Sequence, residues 1–130
     1  MTTNADIVRT VTAALERGDA LAVMAHLSRD VLWTIHAADT EAAPWFGQYR
    51  GKRAVSEFLA VLASVGFTAT PQTALIADGD TVVTLAHLAF DGPNGTHVEC
   101  HEAQIWRLDD EQIVFVDVFL DTAAVSAGFR

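Results

Sequence analysis

The 130-residue sequence combines 51% hydrophobic residues with 19% charged residues and a formal net charge of −9. This composition excludes a disordered chain, and no apolar run approaches the ~20 residues that a membrane-spanning helix needs. Nucleic-acid binding needs clustered positive charge, and only Arg50, Lys52 and Arg53 cluster here, so neither nucleic acid nor a membrane is expected as a partner.

A chain of this length buries about two-thirds of the surface that its unfolded form exposes, which predicts a single domain over residues 1–130. Its core needs no metal or disulfide. The single cysteine, Cys100, has no intrachain partner and is expected to be a small core residue rather than a nucleophile. The first residues lack the basic start and apolar centre of a signal peptide, so a cytoplasmic location is expected.

The N-terminal elements follow from apolar spacing. Apolar residues at helical intervals predict a first helix over residues 5–17, and Gly18-Asp19 is a stop signal. A second short helix is predicted over residues 21–27, and a run of β-forming residues predicts a strand over residues 31–36. Residues 37–53 are expected to form a long loop.

The second half changes from helical to alternating periodicity. A third helix is predicted from Val55 onward, ending before Gly66. Asp78-Gly79 predicts a tight hairpin between the first two strands that follow, and Pro71 argues against a central position for the first of them. Alternation predicts strands over residues 67–77, 81–90, 97–108 and 113–121.

Three helices followed by an antiparallel meander predict an α+β fold, because a sheet with one apolar face must be covered by helices. A Gly-Gln-Tyr-Arg-Gly segment, residues 47–51, opens directly into the third helix. With this element order, nearly the whole chain resembles the SnoaL-like branch of the nuclear transport factor 2-like superfamily. The resemblance implies a cone-shaped, curved, mostly antiparallel sheet covered by the three N-terminal helices, with an open end that admits a small molecule.

The strand over residues 97–108 carries the strongest candidate for chemistry. Alternation places a carboxylate, Glu102, and an amide, Gln104, in the middle of an otherwise apolar face. A mostly apolar pocket with a few polar groups has this pattern. If Glu102 is buried, desolvation raises its pKa toward the range of a general acid or base near neutral pH. The alternative is that the strand bends or that Glu102 faces solvent.

Steroid isomerases of the same fold use a carboxylate base and hydrogen-bond donors that stabilise an enolate oxygen. In this sequence the isomerase tyrosine, base and protonated acid fall near Val11, Ile35 and Gln104. The resemblance therefore does not extend to the isomerase residues, and any proton transfer must use other groups.

Three further polar residues are candidates for the site. His36, at the end of the aromatic strand, could reach the pocket mouth as a base or donor, or be a solvated loop-edge histidine. His87 lies within an apolar strand, as a pocket donor or as a core histidine bonded to backbone. Asp121 resembles the terminal aspartate of many SnoaL-like sequences, which is sometimes the base; otherwise it caps the segment that follows.

His97, Glu99 and His101 share one strand face, which raises the possibility of a metal site. At ~3.3 Å per residue the two histidines stand about 13 Å apart at the backbone, so all three cannot share one ion. A solvated or dimer-facing polar stripe is favoured, and no metal is expected.

Large side chains near these positions are expected to form the pocket walls. Trp45, after Pro44 in an alanine-rich loop, is a candidate lid. One cavity is predicted to include Val11, Leu15 and Leu62 as well. The predicted ligand contacts are Trp33, Ile35, Trp45, Phe58, His87, Gln104, Trp106 and Val116.

The last predicted strand is largely apolar on both faces, so a second surface must cover it. The sequence predicts a homodimer through the sheet face that bears some of Ala103, Ile105, Phe115, Asp117 and Phe119.

The leading functional hypothesis is a cofactor-independent isomerase, cyclase or hydrolase that transfers protons on a small, largely apolar or polycyclic metabolite. Glu102 would be the acid or base, with Gln104 and His36 as polarising donors. The sequence has no glycine-rich phosphate loop, nucleophile elbow or paired-cysteine zinc signature. The alternative is a non-catalytic module that binds a hydrophobic ligand or dimerises.

Overall fold

The computed structural model describes residues 2–66, 68–69 and 74–130. The helices are α1 (Asn4–Glu16), α2 (Ala20–Met24), α3 (Gly51–Ser64) and α4 (Thr122–Ser126), followed by a 3-10 turn at Ala127–Phe129. The strands are β1 (Leu27–Ile35), β2 (Gly47–Arg50), β3 (Thr68–Ala69), β4 (Ala74–Asp78), β5 (Thr81–Asp91), β6 (His97–Asp109) and β7 (Gln112–Leu120).

Within the described ranges, the strands form one curved sheet in the order β2-β1-β7-β6-β5, with β3 and β4 both pairing with the outer edge of β5. Only the β1–β7 pair is parallel among the pairings of these ranges. The predicted α+β class, with a cone-like, mostly antiparallel sheet, is confirmed. No helix in these ranges is long and apolar enough to span a membrane.

Helix α1 shows how local sequence sets an element. Thr3 and Asp6 form a reciprocal capping box, in which each side chain accepts from the other residue's backbone N–H at 3.1 Å. Gly18, at φ +72°, takes the left-handed conformation just beyond the helix. The buried face of α1 packs against the sheet, and its bounds agree with the predicted helix to within one residue.

The connection between β1 and α3 differs from the prediction of a loop over residues 37–53. Residues Gly47–Arg50 form strand β2, which pairs antiparallel with β1. Four residues are too few to show the alternation that identifies a strand in a sequence. Pairing with β1 stabilises β2, and local sequence does not reveal that pairing. Strand β1 also begins at Leu27, earlier than predicted.

Two other predictions need correction. No helix is predicted after the last strand, but Thr122–Ser126 form the five-residue helix α4. The strand predicted over residues 67–77 corresponds to β3 and β4; Phe67 and residues 70–73, including Pro71, lie outside the described residues.

The core fills the closed end of the cone, between the inner face of the sheet and the helices. Val11 of α1, Trp106 of β6 and Val116 of β7 have no solvent exposure and belong to one apolar cluster. Trp33 joins this cluster from β1, with its ring edge-on to Trp106 at 5.5 Å between centroids. The cavity described below lies away from this packed end, between the sheet and the helices.

Candidate functional site

A cavity of about 580 Å³ lies between the inner face of the sheet and helices α1, α2 and α3. Most of its wall is apolar, and Glu102, Gln104 and the end of α1 supply polar groups. The lining comprises Ala14, Leu15, Glu16, Gly18, Asp19, Ala20, Val23, Trp33, Ile35, Trp45, Ser56, Phe58, Leu59, Ala60, Leu62, Ala63, Ala86, His87, Leu88, Glu102, Gln104, Val118 and Leu120.

Most of the predicted wall residues lie in this lining, but three do not. Val11, Trp106 and Val116 are completely buried below the cavity. All three are on inward faces, as alternation and helical spacing predicted. They do not line the cavity, because other side chains pack around them on all sides. The cavity is therefore shallower than the sequence suggested.

Glu102 is on the inner face of β6, opposite Ala86 of β5 and Leu120 of β7. Glu102 is half-buried, and its side chain borders the cavity. Burial raises the pKa of the Glu102 carboxyl, and a hydrogen bond from Gln104 acts in the opposite direction. Glu102 therefore lies on the cavity side of the sheet.

Gln104 belongs to a chain of side-chain hydrogen bonds across β5 and β6. Trp106 Nε1 donates to Thr84 Oγ1 at 2.8 Å, Thr84 Oγ1 donates to Gln104 Oε1 at 2.7 Å, and Gln104 Nε2 donates to Glu102 Oε1 at 2.7 Å. We call these four residues the inner-face relay. The sequence interpretation missed Thr84, although it falls on the inward face of β5 directly opposite Gln104.

His36 is exposed and absent from the cavity lining, which agrees with the loop-edge alternative and not with a position at the pocket mouth. Its ring stacks on Phe119 at 4.4 Å between centroids, and Nε2 is 2.8 Å from Asp117 Oδ1. These partners are on the outer face of β7, and His36 follows inward-facing Ile35 in the alternation. We therefore assign His36 no contact with a ligand in the cavity.

Asp121 is also absent from the cavity lining. Its carboxylate accepts from the backbone N–H of Ala124 at 3.0 Å, which caps helix α4. The structure thus brings together Glu102 and Gln104 of the predicted polar residues, while Asp121 acts as the cap that the sequence analysis kept as its alternative.

Aromatic side chains form one wall of the cavity. Phe58 packs against Trp33 at 5.7 Å and Tyr49 at 4.7 Å between ring centroids. The indole N–H of Trp33 is buried and has no acceptor among the residues described, an arrangement that costs roughly 1–3 kcal/mol. An acceptor atom brought against this N–H would recover part of that free energy.

Trp45 is a fixed wall rather than the lid suggested by its loop position. It is buried, with only 2% of its surface exposed. Its ring meets Phe46, Phe90 and Phe129 edge-on at 5.4 to 5.9 Å between centroids. Three such contacts from different segments hold the indole in one orientation.

The comparisons with known proteins agree with this architecture. The model of the SnoaL-like domain matches residues 8–116. The chain belongs to the SnoaL-like domain family. An NTF2-like protein from Burkholderia thailandensis is similar over 100% of this chain and 99% of its own, at 30% identity and a TM-score of 0.90.

Two more distant structures share the fold of this SnoaL-like domain. TerC, co-crystallised with polyporic acid, has 21% identity and a TM-score of 0.84, with 95% of each chain covered. A putative polyketide cyclase from Xanthomonas campestris has 18% identity and a TM-score of 0.78, covering 98% of this chain and 100% of its own. Among curated proteins, none matches the sequence.

The polar stripe of the SnoaL-like domain lies on the outer face of β6. His97 is exposed and bonded to Asp91 at 2.7 Å and to Glu99 at 3.2 Å, and these two hydrogen bonds raise its pKa. His101 packs edge-on against its cross-strand partner His87 at 5.4 Å between centroids, so the His87 ring lies on the outer face, although His87 also borders the cavity. No group of three potential ligands in the described part of the chain could hold a metal ion.

Cys100 is buried in the SnoaL-like domain, as expected for a small core residue. Burial raises the pKa of its thiol, which disfavours the nucleophilic thiolate.

Proposed function

We propose that this SnoaL-like domain binds a small, largely apolar metabolite in the cavity and catalyses a cofactor-independent proton transfer on it, as an isomerase, cyclase or hydrolase. The observation that carries the proposal is Glu102, a carboxyl group with a raised pKa in a mostly apolar cavity. A raised pKa brings the acid and base forms of a carboxyl group closer to equal population near neutral pH.

In the proposed reaction, ionised Glu102 removes a proton from a carbon atom next to a substrate carbonyl. The electron pair of the C–H bond moves into the new carbon–carbon double bond of an enolate, and the negative charge develops on oxygen. The neutral acid then returns the proton to a different carbon, or to the group formed by ring closure.

The charges around the cavity favour an uncharged or cationic ligand. Glu16, Asp19 and Glu102 are in the lining, and no Lys or Arg is found among the lining residues in the described ranges. A ligand carboxylate would meet these groups without a paired cation, which is costly in a partly desolvated site. We therefore favour a neutral, flat, carbonyl-bearing compound that packs against Trp33 and Phe58.

The distant neighbours support only the fold, so the ligand class rests on the lining residues. The polyporic acid of TerC and the name of the putative polyketide cyclase are useful guides for assembling a screen. Aromatic and polycyclic ketones are the first compounds to test.

The experiment has two steps. A thermal-shift screen of neutral polycyclic carbonyl compounds identifies a ligand, and NMR in D₂O then follows exchange of its acidic C–H protons. Glu102→Gln should retain binding and lose catalysed exchange, since an amide keeps the shape but cannot act as the base. Glu99→Gln, a matched change on the exposed outer face of β6, should exchange at the wild-type rate. Wild-type exchange by Glu102→Gln would refute the assignment.

A non-catalytic binding or dimerisation module is the second candidate. It is favoured by exposed apolar residues on the outer sheet face, where Leu85, Phe115 and Phe119 are 41%, 43% and 45% exposed. Ligand binding without exchange in the wild-type protein would support this candidate over the enzyme.

A further inference from the structure

The inner-face relay has a fixed direction. An indole N–H can only donate, so Trp106 must donate to the hydroxyl of Thr84. The single hydroxyl hydrogen of Thr84 then points to Gln104 Oε1. This orients the Gln104 amide with its NH₂ group toward Glu102. The order of donors follows from the chemistry of each group.

The start of the relay is held rigidly by the core. Trp106 and Thr84 have no solvent exposure, and Thr84 and Gln104 are direct cross-strand partners. Reversing the Gln104 amide would direct its NH₂ group at the Thr84 hydroxyl, whose hydrogen would then have no acceptor in the relay. A buried unpaired hydroxyl costs roughly as much as a lost hydrogen bond, so the reversed amide is disfavoured.

We propose that Trp106 and Thr84 are positioning residues that lock the Gln104 amide and thereby confine the exchangeable proton of Glu102 to Oε2. Oε1 accepts from Gln104 whether the carboxyl is neutral or ionised. Oε2 is then the atom that takes a proton from a ligand and returns it. This inference rests on the proposed function for its catalytic meaning, but the geometry can be tested without turnover.

Other ionisable groups lie near Glu102 on β6 or line the same cavity. Cys100 lies two residues earlier on β6, His87 is on β5, and Glu16 and Asp19 belong to the cavity lining at the end of α1 and the start of α2. The lining residues of α3 and β7 have no charged side chains. Because these groups are the same in the variants below, a difference between variants reports on the relay.

The first test uses the wild-type protein. NMR detects a scalar coupling across an N–H···O hydrogen bond, here between Gln104 Nε2 and the Glu102 carboxyl carbon. The coupling should persist on both sides of the Glu102 titration, because Oε1 is the acceptor in both states. Loss of the coupling when Glu102 becomes protonated would overturn the proposal, since it would mean that the amide turns over with the proton.

The second test compares Thr84→Val with Thr84→Ser. Valine removes the hydroxyl that orients Gln104, so the hydrogen bond favouring ionised Glu102 weakens and the NMR titration midpoint should rise by about 0.5 to 1 pH unit. Serine keeps the hydroxyl and should leave the midpoint unchanged. Thr34→Val changes another buried threonine, on β1. This control should also leave the titration midpoint of Glu102 unchanged.

Equal midpoints in Thr84→Val and the wild type, with circular dichroism showing an intact fold, would overturn the proposal. If Thr84→Val does not fold, the coupling measurement in the wild type decides. If these tests support the relay but the wild-type protein catalyses no proton exchange on its ligand, the proposed function is refuted and the positioning role of Trp106 and Thr84 stands.

Discussion

Glu102 affects stability as well as chemistry, because its pKa differs between the folded and unfolded chain. Burial raises the pKa in the folded state above the ordinary glutamate value, and the Gln104 hydrogen bond only partly offsets this. Between the two pKa values, the folded state holds more protons than the unfolded state. Stability must therefore fall as pH rises through this interval, from about pH 4.3 up to the folded pKa.

Glu102→Gln removes this dependence, and we predict that it stabilises the protein above that interval. The gain should be about 1.4 kcal/mol for every tenfold difference in proton affinity between the two states. Urea unfolding at pH 4 and pH 8 tests this, with a larger benefit expected at pH 8. A variant less stable than the wild type at pH 8 would contradict the burial of an ionisable carboxyl.

At the scale of elements, the turn between β5 and β6 contacts the C-terminal segment very closely. A Cβ atom on Gly92 would lie 2.2 Å from the carbonyl oxygen of Gly128. Asn94 of the same turn donates to the carbonyl oxygens of Ala127 and Arg130 at 2.8 and 3.0 Å. Phe129 in this segment also packs on Trp45, so the contact helps hold one cavity wall.

Gly92→Ala should therefore destabilise the protein by about 1–3 kcal/mol, since the backbone of Gly128 must move. Gly128→Ala is the matched control, because its Cβ would lie 3.1 Å from Val98 Cγ2 and 3.3 Å from both Gly92 Cα and Phe90 Cε2, contacts that shifts of a few tenths of an ångström relieve. Chemical denaturation of both variants measures the difference. Equal losses of stability in the two variants would contradict a steric clash between a Cβ atom on Gly92 and the backbone of Gly128.

At the scale of the whole molecule, the outer face of the sheet carries an apolar surface composed of Leu85, Ala103, Ile105, Phe115 and Phe119 (the outer patch). Leu85, Ala103 and Phe119 form one cross-strand row on β5, β6 and β7. Contiguous apolar surfaces of this kind mark interaction sites. A second copy of the chain is the proposed partner, since the same patch can pair with itself about a two-fold axis.

We expect light scattering at micromolar concentration to give twice the 14.0 kDa mass of one chain. Phe115→Glu combined with Phe119→Glu should give monomers, because it replaces two apolar side chains of the outer patch with charges that must be desolvated on association. Leu21→Glu changes an apolar side chain that is 84% exposed on α2 and should leave the dimer intact. A wild-type mass of one chain would refute this interface.

The sequence by itself determined the elements that depend on local period and capping. The helix ending at Gly18 and the inward face of β6 are examples, because helical spacing and two-residue alternation settle which side chains share a face. Alternation from Trp33 and Ile35 also places His36 on the outward face at the end of the same predicted strand. The sequence also indicates Glu102, because a carboxylate is unusual on an otherwise apolar face of a strand.

Only the tertiary structure decided which inward side chains border open space. Trp106 and Gln104 share one face of β6, yet Trp106 is in the filled end of the cone and Gln104 lines the cavity. The partnership of Thr84 with Gln104 likewise depends on the register between β5 and β6. Depth in the cone and strand register are set by packing between residues far apart in sequence, so local periodicity carries no information about them.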